Sequence, residues 1–167
     1  MTDHALTVRP VTRDDAGAIA LIYNHYVVAT VVTFEQEPVS ADAMAQRVAD
    51  VTGFGHPWLV AERDGRVVGY AYAGPWKLRF AYRFSAETTI YLDPDATGAG
   101  VGTRLYEALF AELRALGKRA VMAGIALPNP ASVALHERFG MRRVATFSEV
   151  GFKHDRWIDV GYWQVLL

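Results

Sequence analysis

Residues 93–102 read DPDATGAGVG, and they join an apolar, β-branched run (ETTIYL, 87–92) to an amphipathic one. After the junction, Val101, Leu105, Leu109, Leu113 and Leu116 recur at spacings of four and three, the period of one helix face. A strand that passes through glycines directly into a helix constrains the architecture. Each element must bury one side, so sheet and helix pack in layers. The glycines also permit chemistry that side chains would block. Gly98, Gly100 and Gly102 leave backbone N–H groups bare at a helix N-terminus, where phosphate oxygens bind. The pattern is neither GxxxxGK[ST] nor GxGxxG, so the usual nucleotide and dinucleotide loops are excluded. A plain strand-to-helix turn is the alternative reading.

Elsewhere the order of elements follows from local signals. ALTVRP alternates and predicts a first strand, Ala5 to Arg9. Thr12 with Asp15 forms a capping-box pattern, and Ile19, Ile22, Tyr23 and Tyr26 then predict a helix to about Val28. TVVTFEQEP reads as an extended loop, and Ser40 as the N-cap of a second helix. WLVAERDGRVVGYAYAGPW is a hairpin turning at Asp64-Gly65. RAVMAGIAL is a buried strand. Asn129, Pro130 and Gly140 bracket a short helix, and two strands close the chain. The predicted order is β-α-α-β-β-β-α-β-α-β-β, one α/β domain spanning 1–167.

With 51% hydrophobic and 21% charged residues, the composition is that of a globular chain. A net charge of −1 gives no support to a nucleic-acid or anionic-membrane partner. No leader peptide and no apolar run of membrane-spanning length is visible, so a cytoplasmic protein is expected. There is no cysteine, which removes thiolate metal sites and a cysteine nucleophile together. His4, His25, His56 and His154 show no metal-ligand spacing, and no metal is expected.

Three further features bear on chemistry. GPWKLRFAYRFS holds Lys77, Arg79 and Arg83 among aromatics and contains no acid, a composition suited to a carboxylate or phosphinate. A solvated loop with its aromatics on the core is the alternative. Strand alternation places Glu87, Thr89 and Tyr91 on one face. A carboxylate beside an aromatic wall is a general-base candidate, against the commoner solvated rim glutamate. His136, one turn into the short helix, has the side chain best suited to proton transfer near neutrality, against a surface histidine and a simple cap at Asn129.

Together these segments resemble the GNAT superfamily of acetyl-coenzyme A-dependent N-acetyltransferases. The superfamily's Q/R-x-x-G-x-G/A pyrophosphate loop aligns with Thr97-Gly98-Ala99-Gly100-Val101-Gly102, with Thr97 where Gln or Arg is usual. NPASVALHERFGM is similar to its N-x-x-[AS]-x-x-L-Y-E-K-x-G-F pattern, with His136 in the tyrosine slot and Met141 in the phenylalanine slot. IYNHYVVATVVTFEQEP, GYAYAGPWKLRFAYRFSAETTIYLDP and VGFKHDRWIDVGYWQ narrow the resemblance to the phosphinothricin and methionine sulfoximine/sulfone acetyltransferases.

The resemblance implies a GNAT fold: a single mixed, mostly antiparallel sheet flanked by about four helices. It implies direct transfer from acetyl-CoA to the α-amino group of a small amino-acid-like acceptor in a ternary complex. Glu87 and His136 become the catalytic acid/base pair. Ile90, Tyr91, Leu92, the loop from Thr97 to Gly102, Asn129 and Ser132 would bind the coenzyme, with a backbone N–H around Ile90 to Leu92 facing the reacting oxygen. Phe34, Trp76, Lys77, Arg79, Tyr82, Thr89 and Tyr91 would bind the acceptor. A homodimer is implied, with the acceptor sites near the subunit interface and KHDRWIDVGYW in the region that helps to shape them. Acetylation of another amine and a non-catalytic acetyl-CoA-binding module are the competing readings.

Overall fold

The computed structural model describes residues 5–167; the expected first strand lies within that range, while His4 lies outside it. Among the described residues there are seven strands and four α-helices in the predicted order. They are β1 (Thr7–Pro10), α1 (Ala16–Ala29), α2 (Ala41–Gly53), β2 (Trp58–Arg63), β3 (Arg66–Pro75), β4 (Ser85–Leu92), α3 (Val101–Ala115), β5 (Ala120–Ala126), α4 (Pro130–Arg138), β6 (Arg142–Lys153) and β7 (Arg156–Leu166). β1 begins two residues later than alternation suggested. Its end at Pro10 is followed by the Thr12 backbone N–H donating to Asp15 Oδ2 at 2.7 Å, the carboxylate half of the expected capping box.

One mixed sheet carries the strands in the order β1-β2-β3-β4-β5-β7-β6. Every neighbouring pair is antiparallel except β4 and β5. Alternation divides the core between the two faces. Trp58, Val60 and Tyr70 pack with Ile19, Tyr23 and Met44 from α1 and α2. Leu59, Ala61, Ala71 and Ala73 pack with Leu105, Leu109 and Phe110 from α3. β4 serves both layers: Tyr91 joins the first, Ile90 and Leu92 the second.

Local signals act as expected. Asp64 and Gly65 turn the β2–β3 hairpin at φ 54° and 73°. The Ser40 hydroxyl accepts from the Ala43 N–H at 3.1 Å, and Asn129 Oδ1 accepts from the Ser132 N–H at 3.2 Å.

The feature that makes a site is the short β4–β5 pairing. Only Ser85, Ala86 and Glu87 pair with β5, opposite Ala120, Val121 and Met122. From Thr88 to Leu92 the edge of β4 that faces β5 has no strand partner. A wedge therefore opens in the sheet immediately after Glu87.

Candidate active site

A cleft of about 600 Å³ runs from this wedge to the start of α3. It is bordered by Ile90, Tyr91 and Leu92 of β4, by the glycine loop, and by Asn129 and Ser132 at the start of α4. Of the expected coenzyme positions, only Ala99 does not border the cleft; it lies between two glycines that do. Gly98 and Gly100 hold φ of 73° and 76°, a left-handed backbone that glycine adopts without steric cost. A Cβ at either position would meet nothing within 4 Å, so the backbone faces open space. Gly100 is the N-cap of α3 and provides no side chain, which leaves the N–H groups of the first turn for an anion. The Thr97 hydroxyl turns back to donate to the Pro94 carbonyl at 3.0 Å, so it steadies the loop's entry. These donors fit a diphosphate, and the unpaired edge of β4 fits an amide-bearing arm added like a strand.

Glu87 stands at the apex of the wedge. Its β3 partner is Gly74, where a Cβ would meet nothing within 4 Å, so the space above the carboxylate is open on that side. On the other side Tyr162 of β7 reaches over β5. It does so because its pairing partner is Gly124, where a Cβ would lie 3.1 Å from Tyr162 Cζ. Burial pushes the Glu87 carboxyl above its usual range, and the neighbouring Tyr162 hydroxyl and Lys77 ammonium offset only part of this. Glu87 thus has the environment of a base tuned upward.

Trp76 meets the Tyr162 ring edge-on at 5.4 Å, and Lys77 Nζ lies 5.1 Å from the Trp76 ring centroid, so both gather at Glu87. Arg79 and Tyr82 lie farther along the exposed loop, and the Arg79 guanidinium has no ion-pair partner among the described residues. Phe34 is held by the last hairpin. Its ring covers Gly151 so closely that a Cβ there would fall 2.3 Å from Phe34 Cζ. Two residues on, the buried Lys153 ammonium donates to the carbonyls of Val27 at 2.6 Å and Thr33 at 2.8 Å.

His136 sits differently from a cleft-facing acid. It is 3% exposed, and both ring nitrogens are engaged. Nδ1 lies 2.7 Å from the Ser132 carbonyl, which can only accept, so Nδ1 carries the proton. Nε2 then accepts from the Tyr106 hydroxyl at 2.8 Å, whose oxygen is also 3.3 Å from Thr88 Oγ1. Burial lowers the His136 pKa despite the Ser132 carbonyl acting the other way, so the ring is neutral near pH 7. No hydrogen bond joins His136 to Glu87. Its route to the wedge runs through Tyr106 and Thr88, the first residue of β4 beyond its pairing with β5. Sequence reasoning missed Tyr106 and Tyr162. A tyrosine one turn after Gly102 on an aliphatic helix face was a usable signal for Tyr106; Tyr162 lies within KHDRWIDVGYW, the segment the resemblance ties to the acceptor sites, but nothing in that segment singled it out.

Among the described residues, no helix is long and apolar enough to cross a membrane, and no group of His, Asp and Glu is arranged to hold a metal.

The family model for an acetyltransferase (GNAT) domain matches residues 8–161. The chain is 41% identical over 160 residues to phosphinothricin N-acetyltransferase from Streptomyces viridochromogenes, covering 94% of this chain and 85% of that protein. It is 35% identical to L-methionine sulfoximine/L-methionine sulfone acetyltransferase from Salmonella typhimurium, covering 97% and 95%. The crystal structure of a GNAT superfamily phosphinothricin acetyltransferase from Sinorhizobium meliloti, in complex with acetyl-CoA, superposes with a TM-score of 0.94 at 40% identity, covering 97% and 88%. A wedge-shaped opening in a mixed sheet, a glycine loop opening a helix, and similarity along nearly the whole chain agree: this protein belongs to the GNAT family of acetyl-CoA-dependent N-acetyltransferases.

Proposed function

We propose that the protein transfers acetyl from acetyl-CoA to the α-amino group of a small amino acid, with Glu87 as general base. The observation that carries this reading is the position of Glu87: a half-buried carboxylate at the apex of the wedge, between the coenzyme cleft and an open acceptor side. The similar proteins named for phosphinothricin and for methionine sulfoximine or sulfone support an amino-acid-like acceptor.

An α-ammonium group must lose a proton before it can attack. Glu87 takes that proton, and the amine nitrogen bonds to the thioester carbonyl carbon. Backbone N–H groups on the free edge of β4 stabilise the oxygen that becomes negative. The C–S bond then breaks, and the leaving thiolate takes the second proton that the nitrogen gives up, while the buried Tyr106–His136 pair positions Thr88 at the start of the wedge. With His136→Ala, turnover at saturating substrates is expected to fall about 10- to 100-fold, with Michaelis constants little changed. Unchanged turnover would remove this pair from the reaction. Lys77 and Arg79 meet the acceptor carboxylate, and the absence of any acid from that loop favours this over a polyamine acceptor.

The test is thiol release from acetyl-CoA with methionine sulfone, methionine sulfoximine, phosphinothricin, common amino acids and their decarboxylated amines. Release with amino acids but not with their amines supports the assignment. Binding of acetyl-CoA without release from any acceptor would instead identify a non-catalytic module.

The outer strand β6 supports the homodimer reading. Val144, Phe147, Val150, Phe152 and Trp157 are about half exposed or more along one hairpin, an apolar surface unusual for a monomer. Sedimentation equilibrium is expected to give twice the mass of the chain, and a monomer at micromolar concentration would reject that surface as a self-contact. Dependence on acetyl-CoA also supports the expected cytoplasmic location.

A further inference from the structure

Beside the proposed base stands a phenol, Tyr162, whose place is fixed by the sheet register. Glu87 of β4 pairs with Met122 of β5, and two residues on, Gly124 of β5 pairs with Tyr162 of β7. Paired residues share a face, and so do residues two apart along a strand, so Glu87, Gly124 and Tyr162 lie on the same face. Neighbouring strands are about 4.8 Å apart, which sets the Glu87 and Tyr162 backbones about 10 Å apart with β5 between them. A side chain at position 124 would part the two. Gly124 has none: a Cβ there would lie 3.1 Å from Tyr162 Cζ and 3.3 Å from the hydroxyl oxygen, so the end of the phenol sits directly over the glycine.

The ring is held there from two sides. Trp76, at the start of the β3–β4 loop, meets it edge-on at 5.4 Å, and Phe147 of β6 meets it at 5.8 Å with the ring planes at 87°. Edge-to-face contacts of this kind fix the plane of a ring, and the hydroxyl is left pointing over Gly124 toward β4.

We infer that Tyr162 is a positioning residue for the general base: its hydroxyl donates to one oxygen of the ionised Glu87 carboxylate and leaves the other oxygen to take the proton from the acceptor amine. The inference rests on the reading of Glu87 as the base and adds to it the group that aims it and keeps it ionised.

Chemistry favours a phenol in this place. A half-buried carboxylate gives up part of its hydration, and without a donor nearby it holds its proton and cannot act as a base. A cation set directly against it would overcorrect, because a carboxylate held that firmly in its ionised form takes up no proton. A phenol lies between these extremes: it donates one hydrogen bond and carries no charge. Burial, and then the Glu87 charge, keep Tyr162 protonated, so it remains a donor. Of the two neighbours that offset burial at Glu87, the Tyr162 hydroxyl acts more strongly than the Lys77 ammonium of the β3–β4 loop. Tyr72 of β3 feels the Glu87 charge but has Thr89 as its own partner, and Met122 and Gly124 of β5 are uncharged.

The experiment follows kcat/KM against pH for the best acceptor of the panel above, in the full chain, in Tyr162→Phe, in Gly124→Ala and in the double variant. Tyr162→Phe keeps the ring between Trp76 and Phe147 and removes only the hydroxyl. Without that donor the carboxylate is harder to ionise, so the acid limb moves to higher pH. On the acid side of the limb kcat/KM is expected to fall about fivefold or more, while on the plateau above it the variant stays within about threefold of the unaltered protein. Gly124→Ala crowds the phenol without deleting it, and a smaller shift in the same direction is expected. The double variant should move no farther than Tyr162→Phe alone, because both changes act through one contact. Acetyl-CoA affinity should stay within about twofold throughout.

An equal loss at every pH in Tyr162→Phe, with the limb in place, makes Tyr162 a packing residue and overturns the inference. A double variant whose limb shifts by the sum of the two single shifts does the same. Glu87→Gln, run alongside, separates this inference from the reading beneath it. If the limb vanishes in Glu87→Gln but does not move in Tyr162→Phe, Glu87 is the base and Tyr162 does not aim it. If the limb persists in Glu87→Gln, or no acceptor releases thiol, the reading of Glu87 falls and the inference with it.

Discussion

Replacing Glu87 with glutamine is expected to lower kcat by about 10²- to 10³-fold while acetyl-CoA affinity stays within about twofold, because the change removes a proton acceptor and keeps the shape. The separation of the two effects follows from the geometry. Glu87 is at the apex of the wedge, whereas the proposed diphosphate donors, the N–H groups of Gly98, Gly100 and the first turn of α3, are at the far end of the cleft. The pH profile offers a second reading of the same residue. Burial raises the Glu87 pKa, and only the ionised form accepts a proton, so activity must rise with pH through that raised value and fall away below it. The acid limb of kcat/KM should therefore lie above the ordinary carboxylate range. In the glutamine variant that limb should vanish. Retained turnover, or a limb that persists unchanged in the variant, would move the base elsewhere.

Gly100→Val is expected to act on the other end of the cleft. Gly100 holds φ 76°, and a side chain with a Cβ in that left-handed backbone costs about 1–2 kcal/mol per residue. The new side chain would also enter the open space in front of the loop, where phosphate oxygens must approach the N–H groups. Loss of two charge-assisted contacts, at roughly 1.5–3 kcal/mol each, corresponds to a weakening of acetyl-CoA binding by about 100-fold or more. Titration calorimetry on the folded variant measures this directly. If affinity changes less than about threefold, the loop is a turn and not the coenzyme's anchor.

The sequence made some parts of this arrangement readable and not others, for identifiable reasons. Helix starts at Ser40 and Asn129, the hairpin at Asp64-Gly65 and the strand-to-helix turn at Gly100 are set by residues a few positions apart, so local pattern found them. Alternation likewise put Glu87, Thr89 and Tyr91 on one face. What alternation cannot give is the neighbour that arrives from a distant strand. Tyr162 reaches Glu87 because Gly124 between them has no side chain, a consequence of sheet order that neither residue signals alone. The same holds for His136. Its spacing within α4 suited a surface residue as well as an acid, and its burial depends on Tyr106 of another helix. Thr97 departs from the usual loop residue, and its turn back to Pro94 explains how the loop keeps its shape with a small side chain there.

The buried contact of Lys153 with Val27 and Thr33 has a consequence for how the acceptor side is assembled. These partners are separated by 126 and 120 residues, most of the chain's length. The coenzyme end, by contrast, is made largely from neighbours in sequence, a strand, its loop and its helix. Contacts between distant parts of a chain are slow to form because the intervening chain must first be closed into a loop. The two halves of the site therefore differ in kind. One is a local module that forms with its own segment, while the wall carrying Phe34 is completed only when the final hairpin docks.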